Sequence, residues 1–252
     1  MRQIIINADD YGINKTVTAE IEHMIETGAI SSTTVMANGT SLDEVKRFAT
    51  IHPEVSYGVH LCLSQFDSIT KSERLRQAGL TDENGTFINN AILGIKSFDE
   101  EVKSAIRDEL NAQIDIVSSL GFTISHADSH HHVHTIYPLR EIFANVLHSR
   151  NIKRIRLGYD FNTFRMKAHL GMWIKRIKLN QYYRNLFTTS DAFYSYSEFL
   201  KYEKSIKDEI TIELMCHPGH SGRQYCDEML MVEGKTLLNR DDIKLISYNE
   251  LY

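Results

Sequence analysis

The sequence has few of the features that mark secreted or membrane proteins. Its three cysteines, Cys62, Cys216 and Cys226, are odd in number and lack C-x-x-C spacing. This pattern argues against a disulfide framework or a structural zinc site, and it suits a reducing cytoplasm. No run approaches the ~20 apolar residues that a membrane span needs. The opening "QIIIN" lacks the charged and apolar regions of a secretory signal. We therefore expect a cytoplasmic protein without a transmembrane segment.

An excess of positive charge and a nucleotide-binding glycine motif are also missing. The formal net charge is -5 and the pI is near 6.2, which gives no general preference for nucleic acid. No P-loop and no dinucleotide fingerprint occurs. Apolar residues make up 42% and charged residues 24% of the 252 residues, which is ordinary for a globular protein with a sizeable core.

Strand-like and helix-like patterns alternate along the chain. Segments predicted as strands are 4–7, 31–37, 55–63, 122–130, 152–158, 189–194, 209–217 and 242–247. Helices are predicted to begin at Asn14, at Ser41 (a capping box with Glu44), at Ser97 and at Pro138. This repeat predicts an α/β protein with a parallel sheet and helices outside it. Its length favours a (β/α) barrel-like fold, incomplete or distorted, over an open doubly wound sheet.

We expect residues 1–252 to form a single domain with two insertions, at about 64–96 after the third strand and at about 160–188. Ten Lys or Arg and a single acid, Asp160, lie between Arg150 and Arg184. We favour a helix packed on the barrel or in a dimer interface for this segment. The alternative is a basic, apolar rim for an anionic or lipid-linked glycan.

Polar motifs stand at or near the ends of four predicted strands. They are "NADDYG" (7–12), "GVHL" (58–61), "HADSHHHVH" (126–134) and "CHPG" (216–219). In a (β/α) barrel the carboxyl ends of the strands meet on one face, where active sites are built. We therefore expect these four motifs to meet in space.

The candidate residues outside the histidine run each allow two interpretations. Asp9 and Asp10 are either a metal ligand beside a general base or a loop pair that caps the next helix. His60, between Val59 and Leu61, is either a ligand or a core histidine. His217 is placed for acid–base chemistry or stabilises a turn.

The run "HADSHHHVH" holds five histidines. If strand geometry persists, His130, His132 and His134 face away from His131; a loop that begins at Ser129 would break this rule. Crowded imidazoles repel one another when protonated and gain most by binding a cation, so we favour a metal or catalytic role.

An aspartate and two histidines around a divalent ion leave positions for water and for a substrate oxygen. Asp9 would then remove a proton from the water, and a histidine across the site would protonate a leaving nitrogen. These roles are those of amide hydrolysis.

With these residues assembled, the sequence resembles the YdjC-like carbohydrate deacetylases, a family distantly similar to NodB-type polysaccharide deacetylases. The motifs "NADDYG", "STTVMANG", "GVHLCL", "HADSHHHVH" and "MCHPG" occur in the family's order and span nearly the whole chain. The resemblance implies a (β/α)-barrel-like fold, one divalent ion, and removal of acetyl groups from N-acetylated sugars such as chitooligosaccharides. It also implies a homodimer.

By position, the resemblance implies three metal ligands: Asp10, His60 and His130. Asp9 matches the family's base, and His217 falls where a proton donor is expected. Asp128 and His132 would be pocket groups that orient ligands by hydrogen bonds. The family is usually described with Mg²⁺, whereas two imidazoles and a carboxylate suit Zn²⁺ or Co²⁺ better.

Two other functions stay open. Another metal-dependent hydrolase, such as a phosphoesterase, often holds two ions bridged by carboxylates. A catalytically silent glycan-binding protein is the second alternative, and the intact Asp9/Asp10 pair argues against it. The basic 150–184 segment departs from the family's pattern.

Overall fold

The computed structural model describes residues 1–89, 91–158, 170–219 and 240–252. Strands in these ranges are β1 (Arg2–Tyr11), β2 (Ser32–Val35), β3 (Ser56–Leu61), β4 (Ala127–Ser129), β5 (Ala192–Ser195), β6 (Thr211–Cys216) and β7 (Ile243–Leu245). Helices there are α1 (Lys15–Glu26), α2 (Leu42–Ile51), α3 (Glu73–Gln77), α4 (Glu100–Ser118), α5 (Arg140–Ser149), α6 (Leu170–Leu186) and α7 (Tyr196–Tyr202).

The strands form one parallel sheet in the order β4-β3-β2-β1-β6-β5, and β7 pairs with the start of β1. The sheet curls into a half-barrel with helices in the connections from β1 to β6, so the prediction of an incomplete (β/α) barrel-like fold is confirmed. Parallel strands need crossover connections, and the alternating sequence pattern supplies them.

The sheet continues past β4 through isolated parallel bridges. Ala127 bridges Ile155, and Arg154 bridges Thr188. The prediction of a full strand over 152–158 is therefore wrong, because only these single bridges form. The segment nevertheless runs beside β4, where the Arg156 N–H donates to the carbonyl of Ala127 at 3.0 Å. Arg156 is thereby held next to β4.

Side chains alternate along β1 between two different surroundings. Ile4, Ile6 and Ala8 belong to the main hydrophobic core, which also includes the buried face of α1. Ile5 instead packs with Tyr248 in a separate small cluster. Because side chains on a strand alternate, the polar residues on the Ile5 face, Asn7 and Asp9, point into the half-barrel.

Three helix starts differ in detail from the sequence predictions, and one agrees. Asn14 caps α1 and accepts the Val17 N–H at 3.0 Å, as predicted. Ser41 precedes α2 but makes no capping bond with its side chain, so the capping box is wrong. Asp99, rather than Ser97, caps α4. Pro138 lies in a 3₁₀ turn that precedes α5, not in α5 itself.

The two predicted insertions contribute to the packed structure to different extents. In the first, Leu75, Leu80 and Phe87 join the main core. In the second, residues 159–169 lie outside the described ranges. On α6, Tyr183 is fully buried, whereas Ile177 is 48% exposed. None of the described helices has the length and apolarity that crossing a membrane requires.

Candidate active site

The predicted site residues lie close together at the carboxyl ends of the strands, as the barrel pattern predicted. Asp9 and Asp10 lie near the end of β1 and His60 near the end of β3. Asp128 lies in β4, and His130 follows it directly. His217 comes immediately after β6.

Asp10, His60 and His130 form a compact buried group. The Oδ1 atom of Asp10 lies 3.1 Å from Nε2 of His60 and 2.9 Å from Nδ1 of His130. One ligand atom from each of the three lies within 4.8 Å of the others. Asp10 adopts the left-handed conformation, with φ of 67°, which costs a non-glycine residue about 1–3 kcal/mol. Such strain persists where the surrounding structure imposes it, commonly at functional sites.

His60 lies between two carboxylates. Its Nδ1 is 2.6 Å from Oδ1 of Asp128, while its Nε2 faces Asp10. Burial opposes a charge on the imidazole, but Asp128 and Asp10 outweigh it and raise the pKa of His60 well above its usual value. In the protein without an ion, a proton on His60 therefore supplies part of the positive charge that these carboxylates require.

Arg156 is the cation that holds the other carboxylates of the site. Its Nη1 and Nη2 donate to Oδ2 and Oδ1 of Asp9 at 2.7 and 2.6 Å. Nη1 also lies 2.6 Å from Asp128, and Nε donates to Glu213 at 2.7 Å. Burial disfavours the ionised form of Asp9, but the Arg156 charge and its hydrogen bonds prevail and hold the pKa of Asp9 well below its usual range. Asp9 is therefore ionised at neutral pH.

Arg156 is held in turn by Glu213, which has its own contacts in the interior of the half-barrel. Glu213 accepts the Tyr248 hydroxyl at 2.5 Å, and the Tyr248 ring stacks on His126 with centroids 3.6 Å apart. Burial raises the pKa of Glu213 to about 7, although Arg156 and Tyr248 act against the rise. The polar interior of the half-barrel thus continues from Asp9 through Arg156 and Glu213 to the C-terminal segment.

The donor set fits one divalent cation. Three buried carboxylates, those of Asp9, Asp128 and Glu213, contact the guanidinium of Arg156, and a fourth, that of Asp10, contacts His60 and His130. Buried charges are stable only when they are compensated, so this excess of acid suits a cation bound by Asp10 and the two imidazoles. A second possible group, Asp9, His60 and Asp128, shares His60, and its two carboxylates already bind Arg156.

The histidine run does not continue the strand. β4 ends at Ser129, and His131 and His132 both have left-handed φ values, of 52° and 53°. The alternation rule therefore fails at this point. His130 faces Asp10, whereas His131 is exposed and its Nδ1 lies 3.1 Å from the Ser64 hydroxyl.

Two further histidines of the run, His132 and His134, contact neighbouring side chains, and the predicted role of His132 in the pocket stays a prediction. The His132 ring makes an edge contact with the Phe193 ring, with centroids 5.6 Å apart. The His134 Nδ1 lies 2.5 Å from the Ser129 hydroxyl, and the His134 carbonyl accepts the Tyr183 hydroxyl at 2.8 Å.

His217 lies at the edge of the site. Its side chain is 14% exposed, and its Nε2 is 3.8 Å from Oδ2 of Asp9. This distance exceeds that of a hydrogen bond but is within reach of a group bound beside Asp9.

Sequence reasoning missed Arg156, Glu213 and Gln65. A signal was present for the first two, because each is a charged residue inside an apolar segment, "IKRIRLG" or "EITIELMCH". Such a residue is almost never fully buried unless it is paired. Gln65, whose Oε1 lies 3.0 Å from Nε2 of His130, had no comparable signal in its loop.

Comparisons with known proteins show the family of the chain. Residues 3–242 match the family described as YdjC-like protein. A carbohydrate deacetylase of Geobacillus stearothermophilus is 29% identical over 100% of this chain and 98% of its own length. A carbohydrate deacetylase of Halalkalibacterium halodurans is 30% identical over 90% of this chain and 87% of its own.

Solved structures show the same fold. The crystal structure of a proposed cellobiose-phosphate cleavage protein from Enterococcus faecalis superposes with a TM-score of 0.76 at 23% identity, covering 99% of this chain and 98% of that one. A lactam utilization protein from Thermus thermophilus superposes with a TM-score of 0.52 at 12% identity, covering 97% and 99%. With a family match over nearly its whole length, the chain belongs to the YdjC-like family.

Proposed function

We propose that this protein is a carbohydrate deacetylase that removes acetyl groups from N-acetylated sugars or oligosaccharides with the help of one divalent ion. The observation that carries the proposal is the position of an ionised carboxylate, Asp9, directly beside the buried Asp10, His60 and His130 group. A base next to a cation site is what hydrolysis needs and what sugar binding alone does not.

Asp10, His60 and His130 would hold the ion. When bound, the ion would polarise the acetyl carbonyl and lower the pKa of a nearby water. Two imidazoles and a carboxylate suit Zn²⁺ or Co²⁺ on ligand type, and the family resemblance favours Mg²⁺. The Asp128 carboxylate holds Nδ1 of His60, so that Nε2 of the same ring is directed to the site.

Asp9 would accept the proton of the attacking water. Arg156 holds both oxygens of Asp9, which keeps the carboxylate ionised and fixes its orientation. The low pKa of Asp9 means that the accepted proton is passed on readily, in this case to His217 after that imidazole has protonated the leaving nitrogen. His217, 3.8 Å from Asp9, would donate a proton to that nitrogen at the edge of the site.

Relatives named carbohydrate deacetylases, aligned over nearly their full lengths, support a sugar as the substrate. The family resemblance given for the sequence motifs implies a homodimer, which is part of this proposal. Cys62 and Cys216 are buried thiols rather than halves of a disulfide, which suits a cytoplasmic protein. A phosphoesterase with two ions is less well supported, because Arg156 binds both carboxylates of the second possible group.

Acetate release tests this function. The purified protein is stripped with a chelator, reloaded separately with Mg²⁺, Co²⁺ or Zn²⁺, and incubated with a panel of N-acetylated mono- and oligosaccharides. We expect acetate and free amine in equal amounts from at least one sugar, and neither from the stripped protein. A metal-loaded sample that releases no acetate from any sugar would overturn the proposal. Hydrolysis of phosphoesters with two ions per chain would favour the alternative.

A further inference from the structure

Gln65 contacts the far side of a proposed metal ligand. Its amide Oε1 lies 3.0 Å from Nε2 of His130, while Nδ1 of the same ring lies 2.9 Å from Asp10. An amide oxygen only accepts hydrogen bonds, so Nε2 of His130 carries the hydrogen. With an ion bound between the ring and Asp10, the lone pair then belongs to Nδ1, which faces Asp10.

The two imidazoles of the group therefore turn different ring nitrogens toward Asp10. His60 directs Nε2 toward Asp10, since its Nδ1 is held by Asp128. His130 directs Nδ1 toward Asp10, since its Nε2 is held by Gln65. Each ring thus has one nitrogen at the site and the other in an outer hydrogen bond, which is the arrangement that fixes tautomer and orientation in metal-ligating histidines.

The loop that carries Gln65 is hydrogen-bonded to α4 both before and after this residue. On the N-terminal side, the Gln113 side chain accepts the Cys62 N–H at 2.8 Å and donates to the Cys62 carbonyl at 2.7 Å. On the C-terminal side, Glu109 accepts the N–H groups of Ile69 and Thr70, both at 2.9 Å. Gln113 also donates to Glu109 at 2.8 Å, which joins the two attachments.

These attachments leave Gln65 little freedom. Glu109 and Gln113 are both fully buried, so their hydrogen bonds to the loop are protected from water. The Cys62 thiol donates to the Gln65 carbonyl at 3.1 Å, and Phe66 adopts a left-handed φ of 64° directly after Gln65. The backbone conformation is thus constrained at both Gln65 and Phe66. This keeps the Gln65 side-chain amide next to His130.

We propose that Gln65 is a positioning residue for the metal centre: it fixes the tautomer of His130, so that this ring binds the ion through Nδ1. The inference rests on the proposed function insofar as His130 is a ligand. The Glu109–Gln113 pair on α4 serves the same end by holding the loop, which gives these buried polar residues a role beyond packing.

The test compares Gln65→Leu, which removes the acceptor at similar size, with Gln65→Glu, which keeps one. Ser68→Ala is the control in the same loop, because its hydroxyl donates to the Gly85 carbonyl and contacts no ligand. The affinity for Co²⁺ is measured by competition with a chromophoric chelator. The ¹⁵N shifts of His130 are measured in the metal-free and Zn²⁺-loaded proteins.

We expect a wild-type His130 with hydrogen on Nε2 and metal on Nδ1. Gln65→Leu should bind Co²⁺ about 10–100-fold more weakly, the range typical of outer partners of metal ligands. Gln65→Glu and Ser68→Ala should stay within about threefold of the wild type, well below that range.

Unchanged Co²⁺ affinity in Gln65→Leu, or metal on Nε2 of His130, would overturn the inference and leave the proposed function intact. A wild-type protein that binds no Co²⁺ would instead overturn the proposed metal centre, and the inference with it.

Discussion

Arg156 and Asp9 form a two-point ion pair inside the half-barrel, with Nη1 and Nη2 of the arginine 2.7 and 2.6 Å from Oδ2 and Oδ1 of the aspartate. The residues are 147 positions apart in the chain. The pair links the carboxyl end of β1 to the segment beside β4, and it keeps a carboxylate charged where burial alone would neutralise it. The first two predictions test the two members of this pair.

Replacing Asp9→Asn should reduce kcat/KM for acetate release by about 10²–10⁴, the range for loss of a positioned acid or base. The amide cannot accept the proton of the attacking water. Co²⁺ affinity should change little, because Asp9 is not among the proposed ligands. Full deacetylase activity in this variant would remove Asp9 from the mechanism.

Replacing Arg156→Met should lower the free energy of unfolding by about 3–5 kcal/mol, because Asp9, Asp128 and Glu213 are left buried without their cation. Urea unfolding measures the loss. Arg154→Met, two residues earlier, is the control: Arg154 donates to the Leu251 carbonyl near the surface, so this variant should lose only about 1 kcal/mol. Equal losses in the two variants would contradict the role given to Arg156.

Glu213 should make the metal-free protein less stable as the pH rises from about 5 to 7. Burial raises the pKa of Glu213 to about 7 in the folded protein, above the 4.5 expected of the unfolded chain. The folded state therefore retains a proton that the unfolded chain has released, so the contribution of Glu213 to stability is present at low pH and is lost as pH approaches 7.

Urea unfolding in the presence of a chelator, at pH 5 to 8, checks this sign. Glu213→Gln should remove a fall on the order of 2 kcal/mol that the wild type shows. Tyr248→Phe should extend the fall to higher pH, because the Tyr248 hydrogen bond lowers the pKa of Glu213 in the folded protein. A wild type and a Glu213→Gln variant with parallel pH profiles would refute the assignment.

His130→Ala should weaken Co²⁺ binding by more than the ~100-fold that loss of an outer partner causes, because it removes a proposed ligand. His131→Ala is the comparison from the same run: its ring lies against the His130 ring, with centroids 4.1 Å apart, but His131 is not among the proposed ligands, so its loss should be much smaller. Chelator competition measures both affinities. Comparable losses in the two variants would mean that the run binds the ion as a unit.

Much of the fold was predictable because its signals are local. Asn14 and the apolar face of α1 predict that helix, and the alternation of strands and helices predicts a parallel, curled sheet. Predictions that depended on side-chain competition at one position were less accurate. Asp99 caps α4 in place of Ser97, and the segment at 152–158 makes only single bridges, one to Ala127 and one to Thr188.

The sequence by itself determined which residue types are available for chemistry and that strand ends carry them: Asp9 and Asp10, His60, the histidine run and His217. Only the tertiary structure decided how they are used. The turn of the chain after Ser129 directs His130 inward and His131 outward, and a distant arginine, Arg156, sets the charge of Asp9. The physical reason is that a pKa and the choice of a ring nitrogen depend on partners within about 3–4 Å. Those partners, Arg156, Asp128 and Gln65, come from three other parts of the chain.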